Sequence, residues 1–215
     1  MNSLKQKYRP FLRDEKFLFS AGLGLVFLLA SFVVNYFAGI YTTESASNPV
    51  TDIILSNIRV FDVDGIFIYG PFILWAFVIV LILTKPQRIP FVLKSIALFI
   101  VIRSVFVTLT HIGPFPDLVT LDSNLLKYFT SANDLFFSGH TGLPFLMALI
   151  LKKNRGLLVS FTAAAIFFGV IVLLAHLHYS IDVLAAFFIT YTIYHIAGFL
   201  FKKDKEMFSS ESFTA

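Results

Sequence analysis

Residues 157–201 read LLVSFTAAAIFFGVIVLLAHLHYSIDVLAAFFITYTIYHIAGFLF. Two apolar blocks, about 157–177 and 179–201, meet at the polar word His178-Tyr179-Ser180-Ile181-Asp182. Each block has the ~20 mostly apolar residues that a bilayer-crossing helix needs. The pattern recurs along the chain. Further spans are predicted at about 17–41, 66–83 and 91–111, with one more that begins near Phe136 or Leu143 and ends at Leu151. The expected fold is all-α: a polytopic membrane protein of six transmembrane helices. Residues 1–16 are read as a basic cytoplasmic tail, 17–203 as the membrane catalytic domain, and 204–215 as a short, polar, mobile cytoplasmic tail. The first apolar run exceeds the ~7–15 residues of a signal peptide's apolar region, so it is read as a retained helix.

Composition agrees with this reading. Of 215 residues, 57% are hydrophobic and 14% charged, with a mean hydropathy of +0.82. A soluble domain carries about a quarter charged residues. The sequence has no cysteine, which excludes disulfides, thiolate nucleophiles and cysteine-ligated zinc. The 27 phenylalanines need no role beyond lipid contact and packing.

The net charge of +4 matters less than where the cations lie. Lys5, Lys7, Arg9, Arg13, Lys16, Lys85, Arg88, Lys94, Lys152, Lys153, Arg155, Lys202, Lys203 and Lys205 all fall on one side of a six-span arrangement. The opposite side has Arg59 and Lys127, with Arg103 inside the third span. Lys and Arg collect on the cytoplasmic side, so both termini are expected there. The far side receives Asp52, Asp134, His140, His178 and Asp182, among others. Two long connections, about 42–65 and 111–135, lie on that side and are expected to cap the site.

An ionisable residue at a membrane boundary is costly to place and marks a functional candidate. His178 and Asp182 are four residues apart, on one face of a helix start. A carboxylate beside an imidazole fixes its tautomer and stabilises its cation. An imidazole held this way is a good nucleophile toward phosphorus. His140, in Ser138-Gly139-His140-Thr141, can protonate a leaving alkoxide and then deprotonate an incoming hydroxyl. Ser138, Gly139 and Thr141 would offer phosphate a helix N-terminus, with Asp134 capping that helix or tuning His140. Pro144 is comfortable only in a first helical turn, which predicts a regular start near Leu143 and a partly unwound 138–142. Arg103 suits bidentate phosphate contact or a structural ion pair. His111, His176 and His195 are read as packing or interfacial residues. A zinc site from His140, His178 and Asp182 is chemically possible, though no recognised metal spacing such as H-E-x-x-H occurs. A non-catalytic transporter or scaffold, with Arg103 lining its path, is the reading from another class.

Residues 133–141, NDLFFSGHT, resemble the G-D-x-x-x-S-G-H-T segment of the sphingomyelin synthases. Residues 175–183, AHLHYSIDV, resemble their A-H-x-H-Y-[ST]-x-D-V segment, and 186–190, AFFIT, their A-Y-Y-I-T. The stretch from Arg103-Ser104 to Pro114-Phe115-Pro116 resembles their R-S … L-P-V-P region. That family sits in the type 2 phosphatidic acid phosphatase superfamily. The resemblance implies a metal-free phosphohistidine mechanism with His178 as nucleophile, Asp182 as its orienter and His140 as acid and base. It implies no cofactor, membrane lipids as substrates and no nucleic acid. The expected reaction moves a phosphorylated head group such as phosphocholine from a glycerophospholipid to ceramide or a similar alcohol. A lipid phosphate phosphatase with water as acceptor is the alternative. The site is expected to face the periplasm, exterior or lumen. The chain lacks the phosphatases' K-x6-R-P word, and Val172 stands where they have an arginine before the second histidine. It departs from the synthases at Asn133, for glycine, and at Thr192, for arginine.

Overall fold

The computed structural model describes residues 6–116 and 135–209. Among them the regular structure is entirely helical: α1 Glu15–Glu44, α2 Asp64–Leu83, α3 Ile89–Leu109, α4 Gly139–Ile150, α5 Arg155–Leu174, α6 Ser180–Leu200 and α7 Lys202–Ser209. Short 3-10 turns cover Phe11–Arg13, Leu55–Asn57 and Pro86–Arg88. Lipid offers no partners to peptide groups, so spanning segments must satisfy their own. Helices α1, α2, α3, α5 and α6 are long and apolar enough to cross a membrane. The protein is an integral membrane protein on this evidence of length and hydropathy. The remaining apolar helix, α4, has 12 residues. At 1.5 Å per residue it covers about 18 Å, against a hydrocarbon core of about 30 Å.

That short helix is the centre of the bundle. Most of its residues are buried, from Thr141 to Ile150, and it packs on α5 and α6 while α3 packs on α1. Phe91, Phe99, Phe137, Leu146, Met147, Phe161 and Ile193 are among the fully enclosed side chains. Helices α1 and α2 keep most of their apolar surface outward. Lipid is as apolar as leucine, so helices associate through close packing and small residues. Gly142 is such a residue. A Cβ there would lie 2.7 Å from the Phe99 ring and 2.8 Å from Thr190 Oγ1.

The start of α4 corrects the sequence reading. Regular helix begins at Gly139, not near Leu143, and Pro144 lies inside it. Proline has no N–H for the carbonyl four residues back, here that of His140. Two contacts hold the first turn nonetheless. The Ser138 hydroxyl accepts from Thr141 N at 3.4 Å, and Ser138 N donates to the Asp182 carbonyl at 3.2 Å. Ser138 is therefore the cap. Asp134, expected in that place, lies outside the described residues.

The other end of the bundle brings two corrections. Lys94, counted among the cytoplasmic-side cations, is buried in α3. Asp204, expected in a mobile tail, is buried in α7. Lys94 Nζ lies 2.7 Å from Asp204 Oδ2 and 2.6 Å from Ser20 Oγ, and Ser20 Oγ donates to Asp204 Oδ1 at 2.5 Å. A buried lysine needs a paired carboxylate, and α7 folds back to supply it. The Phe208 ring lies 5.9 Å from that of Phe91 and beneath the Arg88 guanidinium.

Candidate active site

Helix α6 opens with a reciprocal cap. The Asp182 carboxylate accepts from Tyr179 N at 3.0 Å, and its Oδ2 lies 3.2 Å from His178 Nδ1. The i, i+4 spacing brings the two side chains together as the sequence predicts. Both residues are buried. With Nδ1–H donated to the carboxylate, Nε2 keeps the lone pair. Asp182 Oδ1 has no hydrogen-bond partner among the described residues. A buried carboxylate oxygen left without a donor is costly, and such groups gather at functional sites.

The N-terminus of α4 meets this turn. The Ser138–Asp182 backbone bond joins the first turns of α4 and α6. His140 is half-exposed. Its ring stacks on Phe67 of α2, with centroids 4.3 Å apart and planes at 24°, and lies 6.3 Å from Phe168. Phe67 in turn packs with Ile171 and Val172, bordered by Leu177 and Val183, which flank the His178–Asp182 pair in sequence. Phe67 sets the plane of His140, a role no local pattern in α2 announces.

Arg103 is buried in α3 and reaches the same place. Its Nε donates to the Phe137 carbonyl at 3.0 Å. A Cβ on Gly139 would lie 3.8 Å from Arg103 Cζ, so the guanidinium borders the first residue of α4. Phe136 and Phe137 both have positive φ, 88° and 31°. Left-handed backbone at non-glycine residues costs roughly 1–3 kcal/mol each. Arg103 braces this strained turn from beneath, and the Phe137 ring packs edge-on against Phe99 at 5.4 Å.

Ser138 and Thr141 are both buried at the start of α4. Ser138 is buried as the cap of α4. Thr141 is buried against α5, where a Cβ on Gly169 would lie 3.3 Å from its hydroxyl, which has no hydrogen-bond partner among the described residues. Gly139 keeps its expected position at the helix start, beside Arg103. Among the described residues, no group of three His, Cys, Asp or Glu is placed to hold a metal ion.

The segment between α1 and α2 lies over this end. Ser47 N donates to the His111 carbonyl at 2.8 Å and Gly113 N to the Asn48 carbonyl at 3.2 Å. A Cβ on Gly113 would come 2.2 Å from the Ser47 carbonyl oxygen, so only glycine fits. The Tyr179 hydroxyl donates to the Gly113 carbonyl at 2.8 Å and accepts from Val50 N at 3.2 Å. Burial raises the pKa of this phenol above its ordinary value. Asp52 was read only as a far-side acid, yet its Oδ2 accepts from Ser180 N at 2.7 Å. His176 is buried with φ +53°, and among the described residues neither ring nitrogen has a hydrogen-bond partner. Its ring stands edge-on to Phe115 at 5.2 Å. The packing role expected for His176 describes its ring but leaves those nitrogens unexplained.

Residues 131–199, which carry both histidine words, match a family model described as PAP2 superfamily C-terminal. No curated protein and no solved structure matches the chain. The family match supports the type 2 phosphatidic acid phosphatase superfamily for this protein, and with it a function of the lipid phosphatase or phosphotransferase type.

Proposed function

We propose that the protein is a membrane lipid head-group phosphotransferase resembling sphingomyelin synthase. The observation that carries this reading is the buried His178–Asp182 pair, 3.2 Å apart, set against the N-terminus of α4 and Arg103. His178 Nε2 attacks the phosphorus of a glycerophospholipid head group. The P–O bond to diacylglycerol breaks, and His140 gives its proton to the leaving alkoxide. A lipid alcohol such as ceramide then enters. His140 takes the hydroxyl proton, the alkoxide oxygen bonds to phosphorus, the P–N bond breaks, and His178 is restored. Asp182 stabilises the imidazole as its charge rises. Arg103 and the backbone at Gly139 and His140 hold the phosphoryl oxygens. No metal takes part in these steps. Both termini are cytoplasmic and the site opens to the opposite face, in keeping with the positive-inside distribution.

The superfamily match supports hydrolysis as well, with water in place of the alcohol. One assay separates the two. Protein in liposomes is given phosphatidylcholine, phosphatidylethanolamine or phosphatidylinositol, with ceramide or diacylglycerol. Head-group exchange that His178→Ala abolishes is expected. Release of the free phospho-head group without exchange, or of inorganic phosphate when phosphatidic acid is the donor, decides for hydrolysis. Full activity in His178→Ala removes both readings.

A further inference from the structure

The turn that carries His178, residues 175–179, is tied back to α5 through the amides of Ala175, His176 and Leu177 and is also held from outside its two helices. It contains the left-handed His176, and Tyr179, the cap of α6, is held by contacts from far along the chain. Much of that outside bracing comes from residues 50–61. Phe61 N donates to the Leu174 carbonyl at 2.9 Å on one side of the turn. Val50 meets the Tyr179 hydroxyl on the other side. Between them stands Asp52, which is buried. Its Oδ1 accepts from Ile54 N at 2.8 Å and Leu55 N at 3.1 Å, and its Oδ2 accepts from Ser180 N at 2.7 Å. One carboxylate thus joins the 3-10 turn Leu55–Asn57 to the first residue of α6.

We propose that Asp52 is a positioning residue for His178, acting through Ser180 and the first turn of α6, and that residues 50–61 are a working wall of the active site. This rests on the proposed phosphohistidine reaction. Asp52 lies outside the matched segment 131–199, so the family match itself does not assign it. Asp182 fills the amide of Tyr179 and Asp52 that of Ser180. The amides of Tyr179 and Ser180, where α6 starts, are thereby occupied by the protein's own carboxylates. The substrate phosphate is directed to the N-terminus of α4, beside Arg103. A misplacement of about 1 Å can cost a hundredfold in rate, so a loosened α6 start acts on turnover more than on lipid binding.

The test compares Asp52→Ala with Val78→Ala, a buried α2 residue away from this segment, as a control for lost stability. Asp52→Ala is expected to lower kcat tenfold to a hundredfold with KM within about twofold, and added formate or acetate to restore part of kcat. Val78→Ala is expected to keep kcat. Amide hydrogen exchange at residues 178–182 is expected to quicken in Asp52→Ala alone. Equal kcat losses in the two variants at matched thermal stability would overturn the proposal, as would unchanged kcat in Asp52→Ala. If wild-type protein turns over no lipid phosphate, the proposed reaction fails. The exchange measurement then stands alone, and unchanged exchange at 178–182 would remove the clamp too.

Discussion

Two buried side-chain pairs, each with one carboxylate, stand at opposite ends of the bundle, and they are built differently. His178 and Asp182 belong to one helical turn. Lys94 and Asp204 are 110 residues apart and join α3 to α7, with Ser20 of α1 as third member. At the second pair every charged oxygen has a donor: Asp204 Oδ1 from Ser20 and Oδ2 from Lys94. At the first, Asp182 Oδ1 has none among the described residues. A closed network holds helices together, whereas an open one keeps capacity for a reaction. The difference predicts that substitutions at one end remove activity and at the other remove stability.

The sharpest test is Asp182→Asn. The amide keeps the shape but can no longer accept both the imidazole N–H and the Tyr179 amide as a charged group. In a Ser-His-Asp triad the corresponding change lowers turnover about 10⁴-fold. We expect a loss on the order of 10³–10⁴-fold in head-group transfer, measured in liposomes, with the helical signal retained. Turnover within tenfold of wild type would break the comparison at its functional end.

Next in size is Lys94→Met. It strands Asp204 without its cation, and breaking one side of a buried pair costs about 3–5 kcal/mol. The paired substitution Lys94→Met with Asp204→Leu removes both charges and is expected to recover most of that loss. Thermal unfolding in detergent measures both. Turnover per folded molecule should stay near wild type in each. A single variant as stable as wild type would show that the closed network is not structural.

The same contrast explains what could be read in advance. Helix α6 and its His178–Asp182 pair were legible because the 3.6-residue period alone brings positions i and i+4 together. The long apolar runs of α1, α2, α3 and α5 were legible by length and hydropathy. Lys94–Asp204 was not, because Lys94 reads as one cation at the edge of an apolar run and Asp204 as a solvated charge among Lys202, Lys203 and Lys205. The positive-inside pattern counted Lys94 as one cation among many. Asp52 was missed for the same reason, since Ser180 is 128 residues away. Phe67 is one aromatic among 27 phenylalanines, so composition hides its contact with His140. The start of α4 was misplaced because Pro144 carries a strong local signal. A cap and one tertiary bond to Asp182 outweigh it, and neither is visible locally.

Between the two ends lies Gly142, where α3, α4 and α6 converge. Gly142→Ala places a methyl 2.7 Å from the Phe99 ring and 2.8 Å from Thr190 Oγ1. Overpacking a fitted core costs about 1–3 kcal/mol. A lower unfolding temperature is expected, together with a smaller loss of turnover than Asp182→Asn, because α4 must shift and carries His140 with it. Gly22, which has nothing within 4 Å of its Cβ position, is the matched control. Gly22→Ala should change neither quantity. Equal effects at the two glycines would show that α4 is not tightly seated.

The smallest effect is the acid sensitivity of the clamp. Burial by itself raises the pKa of Asp52, but hydrogen bonds from Ser180, Leu55 and Ile54 outweigh it, and the pKa falls below its usual 3.8. The folded state therefore favours the carboxylate more than the unfolded state does. The stability this adds is fully present above the unfolded value, about pH 4. It is lost as pH drops through the lower folded value. Wild-type protein should therefore show an acid-dependent rise in amide exchange at residues 178–182 only below about pH 4. Asp52→Asn, which has no proton to gain, should exchange faster at neutral pH and lack that further rise. Parallel pH profiles in the two proteins would mean that another group governs the opening of this turn, and that the first turn of α6 does not depend on the charge of Asp52.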